Sequence, residues 1–331
     1  NTVIVDIGGT TTDVSVQVAG DTVFQRQGAE ISGYKTLVPA LFARSVGLGG
    51  DSEIRVVSPV EGGAASRSEA GAASQSKADA VSRRDTAPDI KLQVGPRRAG
   101  TPAAFGGNCV TPTDAAVALG LAAVGNQESA MKALAELGRP YGLGPKELAT
   151  KIVNAFTEQL TCAIRETYLY LESQPVYTVS EMLAPPDIRP EAVIGLGAPA
   201  GVFIPPVAER LGLKYQVLPY HESANAIGAA ASRPTAAITL HADTALGVMT
   251  VPEADYVGKI ERPVLFGIKQ ARSEAMAWAT KFGKRLGLDE ADNIQIVEEE
   301  SFNMVRGFHT VGRTFMIRAQ VRPGVTRICS P

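Results

Sequence analysis

Residues 3–16 read VIVDIGGTTTDVSV, and the fold turns on the segment beyond the two glycines. Val3, Ile4 and Val5 form a short β-branched run of the kind that makes a buried strand. Beyond the turn, Val14, Val16 and Val18 alternate with Ser15 and Gln17, a period of two that suits a half-solvated strand and not a helix. The turn therefore joins strand to strand. A dinucleotide-binding fingerprint or a P-loop would open a helix at this point, and a P-loop would also end in Gly-Lys-Ser/Thr.

Gly8 and Gly9 lack the Cβ atoms that keep backbone away from an anion, so consecutive amides can converge on phosphate oxygens. Thr10, Thr11 and Thr12 add hydroxyl donors. Asp6, at the carboxyl end of the first strand, suits a hydrated magnesium ion, which keeps several waters and takes few carboxylates directly. Asp13 offers a second carboxylate across the turn. The bland alternative is an ordinary tight hairpin with glycine in the bend. An acid, two glycines, three threonines and another acid in one turn favour a nucleotide-phosphate site instead.

Around this hairpin lie 331 residues, 45% hydrophobic and 20% charged, with a formal net charge of −2. That is the composition of a globular chain long enough for two domains. The balance is slightly acidic and no basic stripe is interleaved with aromatics, which argues against nucleic acid as a partner. No run approaches bilayer-spanning length, so no membrane is expected. Cys109, Cys162 and Cys329 are few, odd in number and widely spaced, which fits neither a disulfide framework nor zinc; a reducing cytoplasm is the expected location. His221, His241 and His309 have no metal-ligand spacing and are expected as surface or cap residues.

Strands and turns continue from Val3 to about residue 37, followed by a second glycine-rich loop, SVGLGGDS, over residues 45–52. Residues 58–89 are dominated by Ala, Ser and Gly, with no aromatic residue, and are expected to be a flexible surface insertion. Thr111-Pro112-Thr113-Asp114 has the makings of a helix start, with Thr as N-cap, Pro at N1 and Asp at N3. Apolar spacing predicts helices over 114–121, 127–137 and 146–172, the last carrying Ile152, Phe156, Leu160, Ile164 and Tyr168 on one stripe. A strand over 192–196 runs into Gly195-Leu196-Gly197-Ala198-Pro199 and a helix, and a second strand and helix follow over 215–218 and 221–231. A strand–glycine turn–helix lets a ligand approach backbone and helix N-terminus, although glycine also serves packing there. From Arg233 the texture changes, with strands predicted over 236–240, 248–251, 264–268, 294–298 and 314–321 and a helix over 272–286. The expectation is an α/β lobe over 1–232 and a small α+β C-terminal domain over 233–331.

In this order, the hairpin Asp6 to Asp13, the loop Gly47 to Ser52, the helix start Thr113 to Ala115, the turn Gly195 to Pro199 and Asn225 to Gly228 in SANAIGAA carry a resemblance. The chain resembles the hydantoinase A/oxoprolinase family, whose members have the actin-like ATPase (ribonuclease H-like) fold. The resemblance implies that Gly8 to Thr12 hold the phosphates of ATP, with Gly49 and Gly50 also among the ATP-binding residues. It gives Asp6 and Asp13 to Mg2+ or the reacting water, and puts Gly195, Gly197, Ala198 and Pro199 against the adenosine. The chain departs from the family pattern at Phe42-Ala43-Arg44-Ser45, where many relatives have a histidine, and at Asp51-Ser52, where others have glycine and serine. Such proteins carry two phosphate hairpins, one per lobe, and only one is present here. The expectation is that an N-terminal lobe lies upstream, and that this piece alone is inactive.

The activity implied is ATP-dependent opening of a cyclic amide, of the 5-oxoproline or hydantoin type, through phosphorylation of the carbonyl oxygen. Amide resonance makes that carbonyl a poor electrophile, and phosphorylation turns its oxygen into a leaving group. Such chemistry asks for positioning and charge stabilisation, with little need for an ionisable nucleophile. The alternatives are an ATP-using ketone carboxylase subunit, a small-molecule kinase of the same fold, and a non-catalytic nucleotide-binding subunit. A B-type partner subunit or a homo-oligomer is the expected assembly.

Overall fold

A computed structural model of the chain describes all residues except 26, 27, 29, 32, 33, 37–39, 58–89, 175–186, 289–292 and 326–331. The expected insertion over 58–89 lies outside the described residues. Two compact units are present, Asn1–Asn225 and Ala226–Pro331.

In chain order, the first unit contains strands β1 (Thr2–Ile7), β2 (Thr12–Val18), β3 (Ala43–Val46), β4 (Ser52–Val57) and β5 (Lys91–Arg98). Helices α1 (Pro112–Ala118), α2 (Gln127–Gly138) and α3 (Pro145–Glu172) follow, then β6 (Ala192–Leu196), α4 (Ala200–Leu211) and β7 (Lys214–Val217). Its main sheet has the order β7-β6-β1-β2, with the outer edge of β2 shared by β3 and the two-residue strand Asp21–Thr22. β1, β6 and β7 run parallel, and β2 is antiparallel to β1.

Alternation decides which face of this sheet is buried. Val3, Val5, Ile7, Val14 and Val16 share one face and are fully buried against Phe156, Leu160 and Ile164 of α3 and Phe203, Ile204 and Val207 of α4. The Phe156 and Phe203 rings stack with centroids 3.9 Å apart. Asp6 and Asp13 fall on the opposite face, because the period of two leaves them no choice. β4 and β5 form a separate ladder packed with α1, α2 and α3 around Leu134, Leu148 and Ile152.

The helix start at Thr111 forms as the sequence predicts. Its Oγ1 accepts from the Asp114 amide, and the Asp114 carboxylate accepts from the Thr111 amide, a reciprocal capping box with Pro112 at N1. The helix stops at Ala118, short of the expected 121, because Leu119 caps it and Gly120 takes a left-handed φ of +71°.

A short helix α5 (Ala224–Ala231) is followed in the second unit by β8 (Ala237–Asp243), β9 (Val248–Val251), β10 (Tyr256–Lys259), α6 (Ile268–Arg285), β11 (Ile294–Arg306) and β12 (His309–Val321). The antiparallel sheet has the order β10-β9-β8-β12-β11. Ala271, Ala275 and Ala279, one helical turn apart and fully buried, let α6 lie close on Leu240, Phe315 and Ile317. The strand expected over 264–268 is corrected. Pro263–Leu265 is a 3₁₀ turn and α6 begins at Ile268, because Val264 and Leu265 are 97% and 67% exposed and have no sheet to enter. β10 was not predicted, and β11 and β12 run well beyond the expected limits.

Candidate functional site

The turn between β1 and β2 is four residues long and is closed by the Gly8 amide donating to the Thr11 carbonyl at 2.9 Å. Asp6 stands directly opposite Asp13, and Ile7 opposite Thr12. Gly9, Thr10 and Thr11 are exposed, and their amides find no acceptor among the described residues. Thr12 is different. It is fully buried, and its Oγ1 donates to the Leu48 carbonyl at 2.5 Å, so it anchors the neighbouring loop.

That loop is the second glycine-rich segment, and backbone bonds lay it on the turn. The amides of Gly50 and Asp51 donate to the carbonyls of Gly8 and Gly9 at 2.9 and 2.7 Å. Contact this close excludes a side chain: a Cβ on Gly49 would lie 2.5 Å from the Gly9 carbonyl oxygen. The loop is tightened by the Ser52 hydroxyl, which accepts from the Gly49 amide at 2.8 Å. From the other side, the Thr113 amide and hydroxyl both donate to the Gly50 carbonyl, at 2.9 and 2.8 Å. The start of α1 is therefore bonded to the loop that is bonded to the hairpin. Asp51 pairs with Arg98 at 2.9 Å, which puts a guanidinium at the rim of the turn.

The third wall comes from the carboxyl end of β6, which pairs in parallel with β1 so that Leu196 sits beside Asp6. Carboxyl ends of parallel strands are where α/β sheets place ligands. Gly197 has φ +85°, and a Cβ there would lie 2.1 Å from the Ile7 carbonyl oxygen and 2.9 Å from Asp6 Oδ1. Pro199 caps α4 and comes close to Gly50, Ala198 is exposed beside it, and Gly195 is buried against Ile204 and Ala200. His221 locks the turn: the Gly197 amide donates to the His221 carbonyl, and His221 Nδ1 donates to the Gly197 carbonyl, each at 2.8 Å. The carbonyl acceptor fixes the proton on Nδ1. Four residues on, Asn225 Nδ2 donates to Asp6 Oδ2 at 2.7 Å.

The hairpin, the loop Gly47 to Ser52, the start of α1 and the turn Gly195 to Pro199 thus meet. Asp6, Gly8, Gly9, Thr10, Thr11, Gly49, Gly50, Gly197 and Pro199 converge, while Gly195 and Thr12 sit in the supporting layer. His221 and Arg98 were missed, and Asn225, quoted in SANAIGAA, was given no role at the site. No linear spacing could have found them, since Asn225 lies 219 residues from Asp6. Two surface hollows, of about 400 and 670 Å³, lie elsewhere: one is lined by Glu53, Asn108 and Cys109, the other by Lys151, Gln159 and Cys162.

Chemically, Asp6 and Asp13 place two carboxylates opposite one another on neighbouring strands, and these are the residues of the site that could take a cation. No group of three or more His, Cys, Asp or Glu side chains comes together among the described residues. The donor set is a pair of carboxylates with open amides and hydroxyls alongside, suited to an ion that keeps most of its waters. No helix among the described residues is long and apolar enough to cross a membrane.

The sequence matches the hydantoinase/oxoprolinase family over residues 1–238. The chain belongs to this family. Among curated relatives, the caprolactamase subunit alpha of Pseudomonas jessenii is 26% identical over 235 residues, which cover 66% of this chain and 27% of that protein. Among solved structures, that of the ATP-dependent caprolactamase from Pseudomonas jessenii aligns with a TM-score of 0.48 and 17% identity, over 100% of this chain and 47% of that one. The chain therefore spans well under two thirds of the length of either. The family match takes in all of the first unit, and so includes every residue of the cluster around the hairpin.

Proposed function

We propose that this chain is a phosphate-binding lobe of an ATP-dependent enzyme that opens a cyclic amide. The observation that carries this is the cross-strand pair Asp6 and Asp13 beside the open amides of Gly9, Thr10 and Thr11. Asp6 and Asp13 would hold a hydrated magnesium ion, which supplies charge neutralisation at the phosphates. The turn amides, with the hydroxyls of Thr10 and Thr11, receive phosphate oxygens, and Gly197, Ala198 and Pro199 border the nucleoside. A second hairpin of the same kind, on another part of a longer polypeptide, completes the cleft.

The amide carbonyl oxygen attacks the γ-phosphorus and ADP departs. Water adds to the activated carbon, the ring nitrogen leaves with a proton, and a second water hydrolyses the resulting acyl phosphate. One ring is opened and one phosphate released for each ATP. The fixed turn contributes by orienting phosphate oxygens and meeting developing charge, which is the main demand of phosphoryl transfer. The similarity to a caprolactamase subunit alpha supports a lactam as substrate and a partner subunit beside it.

The test is to incubate the full-length protein, with any co-purifying subunit, with ATP, magnesium and caprolactam, 5-oxoproline or a hydantoin. The expected result is amide-dependent phosphate release matched one to one by ring-opened amino acid. A phosphorylated end product would replace this reading with a kinase.

A further inference from the structure

Among the described residues, Asp6 is the one acidic residue of the hairpin whose carboxylate is bound by another side chain, and that side chain comes from the far end of the unit. Asn225 Nδ2 reaches Oδ2 at 2.7 Å, while Oδ1 lies 2.9 Å from where a Cβ on Gly197 would stand and takes no hydrogen bond from the described residues. A neutral amide donor holds a carboxylate without neutralising it, leaving its charge available to a cation. The backbone around Asn225 is fixed in turn. Tyr220, in the left-handed region at φ +58°, opens the 3₁₀ turn His221–Ser223, and His221 is bound at both its carbonyl and its Nδ1 to Gly197. The same histidine–glycine clamp that shapes the turn after β6 therefore sets where the Asn225 amide points.

We propose that Asn225 is a positioning residue for Asp6: it occupies Oδ2 and so fixes which carboxylate oxygen faces the magnesium ion of bound ATP. The proposal rests on the ATP-dependent function proposed for this site. Outer partners of metal-directed carboxylates restrict their rotation, and losing one weakens metal binding by about 10- to 100-fold. Asn225 would act only through Asp6, so its effect vanishes once Asp6 is gone.

The experiment measures ATP affinity by calorimetry as magnesium is titrated, in the full-length protein and in its Asn225→Ala, Asp6→Ala and doubly substituted forms. Asn225→Ala is expected to raise the magnesium concentration that half-maximally tightens ATP binding by about 10-fold or more. ATP affinity in excess chelator stays at the wild-type value, and the double variant responds to magnesium no worse than Asp6→Ala alone. If Asn225→Ala melts early, Asn225→Ser, whose hydroxyl is too short to reach Oδ2, takes its place. A normal magnesium response in the Asn225 variants, beside a lost one in Asp6→Ala, overturns this inference and leaves the proposed function standing. A wild-type ATP affinity indifferent to magnesium, or an Asp6→Ala variant that keeps the full response, overturns both.

Discussion

Gly197 shows how much of the site rests on single atoms. A methyl group there would meet the Ile7 carbonyl oxygen at 2.1 Å on a backbone already in the left-handed region, so neither rotation nor a small shift relieves it. Gly197→Ala is expected to cost about 2 kcal/mol or more of stability, read from denaturant unfolding, and to weaken ATP binding as the turn retreats from Asp6. Tyr168 is the opposite case. Its hydroxyl is buried with no partner among the described residues, and burial holds its pKa well above the ordinary value. Removing an orphaned hydroxyl removes its desolvation cost, so Tyr168→Phe is expected to stabilise the first unit by about 1 kcal/mol, seen as a raised unfolding midpoint. The glycines of the site were legible in the sequence because each stands in a short run with a chemical meaning. His221 and Arg98 were not, and Asn225 was visible only as part of SANAIGAA, since their roles exist only once β6 has been laid beside β1.

The element that ties the site together is the start of α1. Asp114 is fully buried and accepts from the Ala104 amide, the Thr111 amide and the Thr111 hydroxyl at 2.7 to 2.9 Å, while Thr113 holds Gly50. Loss of the cap alone, in Thr111→Ala, is expected to cost about 1 kcal/mol. Asp114→Ala leaves three donors without their acceptor and is expected to cost about 3 kcal/mol, both read from urea unfolding curves. This helix start was visible in Thr111-Pro112-Thr113-Asp114 because capping is local chemistry. Over 264–268 local chemistry misleads: Val264 and Leu265 have strand propensity, but Pro263 and the cap at Gly267 decide the backbone and no neighbour buries them. β10 was missed for the complementary reason. Its Tyr256 and Val257 lie at a sheet edge that only β9 defines.

At the scale of the whole molecule, the α/β architecture was readable because a buried sheet forces alternation on β1 and β2 and an apolar stripe on α3. The second unit was legible only in outline, since its long ribbon β11–β12 is polar and exposed over much of its length. One of its ties makes a pH prediction. Glu299 is held below its ordinary 4.5 by the hydrogen bonds from Arg272, reinforced by the opposite charge, and burial opposes this only partly. The folded protein thus keeps Glu299 ionised where the unfolded chain takes up a proton. The stabilisation is full above about pH 4.5 and is lost as the pH falls through the lowered folded value. Thermal melts below that point are expected to show a shallower acid loss in Glu299→Gln than in wild type. The central claim, that the hairpin serves the phosphates of ATP during cyclic-amide opening, is tested most directly by amide-dependent phosphate release from the full-length protein and its Asp6→Ala variant. The variant is expected to lose the amide-dependent rate by about 100-fold or more, with its melting temperature kept; an unchanged rate would contradict the claim.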